Sequence, residues 1–119
     1  MPHPGKAEWS DTLYKKLRTK QMVKDSVGAV LLAIRYKFVK EIETGKWYEI
    51  EITSKSPDTK VKFKVRSGRN QEVFTVKLNP GQTKNIRKFY WTTGQKNAAS
   101  PDREDKDYIY YPLEELLER

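Results

Sequence analysis

Basic and apolar residues alternate strictly in the stretch KVKFKVR, which runs from Lys60 to Arg66. In a β-strand, this alternation places three apolar side chains on one face and four cationic side chains on the other. Lysine and arginine side chains in such a row are suited to contacting phosphate groups. The stretch therefore predicts either a surface for a polyanion or the solvated side of a sheet.

The expected strand pairing explains part of this charge. If the strands on either side of the loop 54–59 pair, Glu51 lies opposite Lys62 and Glu49 lies opposite Lys64. Each such surface ion pair contributes well under about 1 kcal/mol. The preceding hairpin is expected to add Arg35 and Lys37 to this face. The face then holds six cations and two carboxylates, which give it a net charge of +4. That excess indicates an anionic partner.

Large aromatic residues lie near these cations in the sequence. The same pairing places Trp47 beside Arg66, and the cluster RKFYW places three rings directly after Arg87 and Lys88. An exposed ring stacks on unpaired bases with about 1–3 kcal/mol per base, while cations hold the phosphates. The alternative is that Trp47 packs on the first helix and that most rings of the cluster lie in the core. The residues predicted to bind nucleic acid are Arg35, Lys37, Trp47, Lys60, Lys62, Lys64, Arg66, Arg69, Arg87, Lys88 and Trp91.

The residue inventory argues against most catalytic centres. The chain has no cysteine, and its one histidine, His3, lies between two prolines near the N-terminus. Nucleophilic triads and histidine-based zinc sites therefore lack their residues, and the scattered glycines form no phosphate loop. The remaining enzymatic reading is a metal-dependent nuclease built from Asp58, Lys60 and the acidic pair Glu49 and Glu51. Turn chemistry explains Asp58 equally well, so we predict no catalytic residue, metal site or cofactor.

The charge is distributed unevenly along the 119 residues. The whole chain carries +8, while its last nineteen residues hold seven acidic and three basic residues and carry −4. A basic body with an acidic tail favours a nucleic-acid partner. The longest apolar run, Val27–Ile34, is too short to cross a bilayer, and the first residues lack the apolar core of a signal peptide. We therefore expect a cytoplasmic or nucleoid-associated protein that is not secreted and does not contact membranes.

Apolar periodicity and turn residues predict the elements. Trp9, Leu13 and Leu17 recur at helical spacing and predict an N-terminal helix that ends near Ser26. Strands follow, with turn signals at ETG, KSPD, SGRN and NPGQ between them, although the first could also be read as a helix. The predicted strands cover 30–42, 47–53, 60–66, 71–78 and 83–91, with a sixth in DYIYY at 107–111. The sequence PLEELLER then predicts a short helix that begins at Pro112.

These patterns predict one α+β domain. Its antiparallel sheet of five or six strands in meander order forms a sandwich or partly open barrel. We expect a flexible arm over 1–8, the helix and sheet over 9–91, a flexible polar loop over 92–107 and a tail over 108–119. The last helix is too short to stand alone, so its stripe of Leu113, Leu116 and Leu117 is expected either to dock on the chain's own body or to join two subunits in a homodimer.

The function favoured by the sequence is non-enzymatic binding of nucleic acid, with single strands preferred over duplex. Duplex readout needs a helix that carries base-reading side chains, and the predicted basic helix offers mainly lysine. The rival is a small structural or assembly subunit whose basic face binds an acidic protein.

Overall fold

The computed structural model describes residues 8–21, 26–67, 72–91 and 106–118, and within these ranges the chain is mostly antiparallel sheet. Six strands form a nearly closed barrel, and a seventh short strand and a short helix follow. The elements are β1 (Leu13–Gln21), β2 (Val27–Ile42), β3 (Gly45–Ser54), β4 (Val61–Ser67), β5 (Glu72–Leu78), β6 (Thr83–Trp91), β7 (Tyr110–Pro112) and α1 (Leu113–Leu117).

The strands predicted from alternation are present. In β4, Val61, Phe63 and Val65 are buried, while the basic residues between them are half-exposed. The turn at Asn79–Gln82 is closed by a 3.0 Å hydrogen bond from the Gln82 N–H to the Asn79 carbonyl. Gly81 adopts a φ of 74° there, which is the conformation that the third residue of a type II turn requires.

The predicted N-terminal helix is wrong, because residues 13–21 form strand β1. Leu13 and Leu17 are four residues apart, a spacing that fits a strand as well as a helix. Along β1, Tyr14, Lys16 and Arg18 are exposed, while Leu17 and Thr19 are buried. Thr19 occupies a core position with a polar side chain, so a count of apolar residues did not show the period of two.

The predicted meander order is correct for the β2–β3 and β4–β5 hairpins and wrong for the connections that follow each of them. The strand order is β5-β4-β1-β2-β3-β6, so β3 pairs with β2 and β6, and β4 pairs with β1 and β5. The expected β3–β4 pairing is absent from these ladders because β3 finds equally apolar partners elsewhere, such as Ile34 on β2 and Ile86 on β6, opposite Ile52 and Ile50. The turn Asn79–Gln82 therefore joins the two ends of the sheet rather than two paired strands.

The β2–β3 hairpin differs in detail from the expected three-residue loop. Ile42 pairs with Gly45, so the loop contains two residues, and an irregularity between Phe38 and Lys40 shifts the register. A Cβ at Gly45 would lie 2.2 Å from the Tyr90 carbonyl oxygen. Glycine is therefore required there by the close approach of β6.

The helix α1 completes the core. Leu113 and Leu116 are fully buried among residues of the barrel such as Leu32, Ile50 and Phe63, and the helix contacts β2, β4 and β7. The Lys15 ammonium donates a hydrogen bond to the Glu115 carbonyl and so ties β1 to this helix. At the opposite edge, the Ser67 hydroxyl donates to the Phe89 carbonyl, which brings β4 and β6 together.

Two predicted segments fall largely beyond the described residues. These are the arm expected over 1–8, of which only Glu8 is described, and the loop expected over 92–107, of which only Lys106 and Asp107 are described.

Candidate nucleic-acid interface

The outward face of β4 carries three of the predicted cations. Lys62, Lys64 and Arg66 alternate with buried residues and are half-exposed. Their register partners on β5 are Lys77, Thr75 and Val73, none of which is acidic. The β4 cations therefore do not face the glutamates of β3, which sequence pairing assigned to them.

A row of three lysines crosses the sheet at the start of this face. Lys62 on β4 lies opposite Lys77 on β5 and opposite Lys20 on β1. We call these three residues the lysine row. Like charges directly opposite each other in a sheet destabilise it, with Cβ atoms only about 5 Å apart. Of the three, Lys62 and Lys77 form a directly opposed like-charge pair between β4 and β5.

Two tyrosines lie over the β4 cations. Strand β7 runs parallel to β4, with Tyr110 opposite Lys64. The Lys62 and Lys64 ammonium groups each lie 4.7 Å from the centroid of the Tyr108 ring. The Arg66 guanidinium lies 4.7 Å from the Tyr110 ring. Cations over aromatic faces are held in place by the ring quadrupole, so Tyr108 and Tyr110, the tyrosine pair, order the cations of β4.

Sequence reasoning missed the tyrosine pair. Tyr108 and Tyr110 share one parity in DYIYY, and this alternation was the signal that both rings lie on one face. The sequence did not show that this strand pairs with β4, because more than forty residues separate the two strands and no single turn joins them.

Three other predicted cations, Arg35, Lys37 and Arg87, lie with the β3 glutamates in a second group on β2, β3 and β6. Arg35 pairs with Glu51, while Glu49 lies 4.0 Å from the Lys37 ammonium and 3.6 Å from the Arg87 guanidinium. We call these five residues the paired face. The predicted pairs of Glu49 with Lys64 and of Glu51 with Lys62 are wrong, because β2 and β6 supply nearer cations.

Glu49 is held as an anion at the centre of the paired face. The Asn85 side-chain amide donates a 2.9 Å hydrogen bond to its carboxylate. This bond lowers the pKa of Glu49 below its ordinary value, and Lys37 and Arg87 lower it further, against a smaller opposing effect of desolvation. The carboxylate therefore remains charged at neutral pH and neutralises the cations around it.

Trp9, which precedes β1, covers Arg35 and Lys37 of the paired face. Its ring centroid lies 4.4 Å from the Arg35 guanidinium and 4.8 Å from the Lys37 ammonium. The backbone holds it there, since Trp9 bridges to Lys37 and the Ser10 N–H donates a 2.7 Å bond to the Tyr36 carbonyl. Arg35 and Lys37 are thus occupied by a carboxylate on one side and a ring on the other.

The structure separates Trp47 from Arg66, its expected neighbour. Trp47 lies between Lys40 and Phe89 in the sheet, and its ring packs on Phe89 with centroids 5.2 Å apart. Trp47 is half-buried and Phe89 is 8% exposed. The Lys88 ammonium lies 5.0 Å from the ring of Phe74. The Trp47–Phe89 contact therefore lies on one face of the β3–β6 pair, and Lys88, the neighbour of Phe89 in β6, lies on the other.

The other predicted site residues are placed as follows. Lys60 is exposed directly before β4. Arg69 and the side chain of Trp91 lie outside the described residues. Leu113 and Leu116 are buried in the chain's own core and Leu117 packs against it, so the stripe predicted to join two subunits is already covered by the barrel.

One small cavity lies beside the lysine row, at the β1–β2 and β4 edge. This cavity of about 70 Å³ between Thr19, Gln21, Ser56 and Thr59 is far below the size of typical small-molecule sites. Within 8–21, 26–67, 72–91 and 106–118, no group of three or more acidic or histidine side chains is arranged to hold a metal ion. Among the same residues, no helix is long and apolar enough to span a bilayer.

Comparison of this chain with protein-family models, with curated proteins and with solved structures finds no match.

Proposed function

We propose that this protein is a non-enzymatic nucleic-acid-binding protein that holds single-stranded DNA or RNA on the outward face of β4. The observation that carries the proposal is the lysine row of Lys20, Lys62 and Lys77, flanked by the tyrosine pair. Like charges directly opposite each other, as at Lys62 and Lys77, repel, and a phosphate backbone supplies anions at regular intervals.

The tyrosine pair supports single strands over duplex. Tyr108 and Tyr110 are half-exposed beside the cations, where flat, unpaired bases can stack while the lysines contact phosphates. A paired duplex keeps its bases stacked on one another and presents only its backbone to such a surface.

The paired face takes a smaller part in this proposal than the sequence suggested. Arg35, Lys37 and Arg87 already contact carboxylates, whereas no carboxylate is among the register partners of the β4 cations. Releasing the three paired cations for phosphate would expose Glu49 and Glu51 to the same anion. The binding surface proposed here is therefore narrower than the predicted set and is centred on β4.

The test is fluorescence anisotropy with labelled single-stranded DNA, single-stranded RNA and duplex, each at several salt concentrations. A Lys62→Gln, Lys77→Gln variant removes two cations, so the slope of log affinity against log salt should fall by about 1.4 for a single strand. A Lys40→Gln, Lys46→Gln variant on the β2–β3 hairpin changes the net charge equally and should leave the slope near the wild-type value.

Stacking is tested separately from charge. A Tyr108→Leu variant should lose about 1–3 kcal/mol of single-strand binding for each base it stacks, with an unchanged salt slope. Equal weakening in the two lysine variants, or weak binding that is the same for all three ligands, would overturn the proposal. Such a result would point to an acidic protein as the partner of the lysine row.

A further inference from the structure

The outward face of β1 and β2 is unusually apolar for a solvent-facing sheet surface. Tyr14 is 66% exposed, Leu31 is 42% exposed and Val27 is 41% exposed. On the same face of β2, Ala29 lies between Val27 and Leu31, and Ala33 lies beyond Leu31, opposite Tyr14. The solvent-facing side of an antiparallel sheet is ordinarily polar. We call these five residues the outer apolar stripe, and their exposure to water is energetically unfavourable.

Cations line the stripe at every step along β1. Lys16 lies opposite Leu31, Arg18 opposite Ala29 and Lys20 opposite Val27. Leu31, Ala29 and Val27 therefore each have a cationic partner on the same face. Lys20 also belongs to the lysine row, so the stripe and the proposed binding face form one continuous surface.

The ring of Tyr14 stands at the far end of this surface. Its register partner is Ala33, which is too small to cover the ring. Lys20 lies six positions further along β1 than Tyr14, which corresponds to about 20 Å along an extended strand. An exposed aromatic ring beside small alanine side chains can stack on an unpaired base, and the neighbouring row of cations on β1 can contact the phosphates.

We propose that Tyr14, with Leu31 beside it, is a base-stacking site for the same single strand, and that the strand follows β1 from the lysine row to Tyr14. This inference rests on the proposed function and adds a second contact and a direction to it. The carboxylates of an acidic protein segment would pair with the cations but would not supply a flat apolar surface to contact Tyr14, Ala29 and Ala33. The whole path is long enough for about 4–6 nucleotides, at the short end of known single-strand sites.

The test compares labelled oligothymidylates of increasing length, from about 3 to about 12 nucleotides, on wild-type protein and a Tyr14→Ala variant. Wild-type affinity should rise until the oligonucleotide reaches Tyr14. Tyr14→Ala should bind the shortest oligonucleotide like wild type and bind the longer ones about tenfold more weakly, with the same salt slope. Tyr14→Phe should restore the lost affinity, because the ring rather than the hydroxyl makes the contact.

The controls separate this inference from the proposed function. Ile42, which is 47% exposed near the end of β2, is the matched exposed side chain, and Ile42→Ala should bind all lengths like wild type. Unfolding by urea verifies that Tyr14→Ala is folded, as expected for a side chain this exposed. If long oligonucleotides bind Tyr14→Ala as tightly as wild type while the lysine-row variant is weakened, the stacking site is refuted and the proposed function stands. If wild-type protein binds no oligonucleotide, both fail.

Discussion

Reversing one charge in the lysine row should stabilise the fold and weaken binding at the same time. Lys77 is exposed on β5 and lies opposite Lys62. In the Lys77→Glu variant, a repulsive cross-strand pair becomes an attractive one. Each contribution lies between about 0.2 and 1 kcal/mol, so the free energy of unfolding should rise by about 1 kcal/mol in total. For a domain of this size, the expected rise in Tm is about 4 °C.

The matched control is Lys40→Glu, which changes the net charge of +8 by the same amount. Lys40 is exposed on β2 and its register partner on β3 is Trp47, so no lysine pair is relieved. Urea unfolding followed by tryptophan fluorescence measures both variants at low salt and again near 1 M salt, where the Debye length is only about 3 Å. The difference between the variants should be largest at low salt and shrink strongly at high salt.

Two outcomes would refute this reasoning. If Lys77→Glu and Lys40→Glu change stability equally at low salt, cross-strand repulsion in the lysine row is not a real cost. If Lys77→Glu is more stable but binds single-stranded oligonucleotide as wild type does, the repulsion exists without serving an anion. In that case the proposed function would lose the observation that carries it.

Three further substitutions have defined outcomes. Gly45→Ala should destabilise the fold by about 1–3 kcal/mol in urea unfolding, because its Cβ would meet the β6 backbone; Gly28→Ala, which has no atom within 4 Å of its Cβ, should be neutral or slightly stabilising. Tyr111→Phe should cost about 1 kcal/mol, because the hydroxyl donates to the carbonyl of Arg18 at 3.0 Å and accepts from its N–H at 3.1 Å; an unchanged unfolding midpoint would contradict that account. In the Glu49→Gln variant, the free energy of unfolding should decrease less than in wild type as the pH is lowered. The lowered pKa of Glu49 contributes stability above the ordinary glutamate pKa of about 4.3, and this contribution disappears as the pH falls through the lower pKa of the folded state. If wild type and Glu49→Gln lose stability in parallel between neutral pH and acid, that carboxylate is not the group responsible.

Local patterns predicted the strands well because each strand is determined by neighbouring residues. Strict alternation in β4 and the proline-glycine turn before β6 are physical constraints that act within a few residues. The N-terminal helix was wrong because Leu13 and Leu17 fit both periods and the buried Thr19 is not apolar.

Pairing between strands could not be predicted in the same way. The apolar faces of β2, β4 and β6 are similar enough that β3 could pair with any of them, and turn signals favour neighbours in sequence. The observed choice brought Glu49 to Arg87 rather than to Lys64, which divided one predicted surface into two. The lysine row exists only because β1 and β5 lie on either side of β4, and no local pattern carries that information.

The burial of α1 has a consequence for how the chain reaches its native state. Leu113 and Leu116 fill the same core as Leu17 and Val30, so the core cannot close during synthesis until residue 116 has left the ribosome. Contacts of such high sequence separation slow folding, because the entropy of closing long loops is lost before the contacts form. The parallel pairing of β7 with β4 belongs to this late step. The lysines of β4 therefore emerge long before the tyrosines that order them, and a nascent chain carries the charge of the proposed site without its stacking rings.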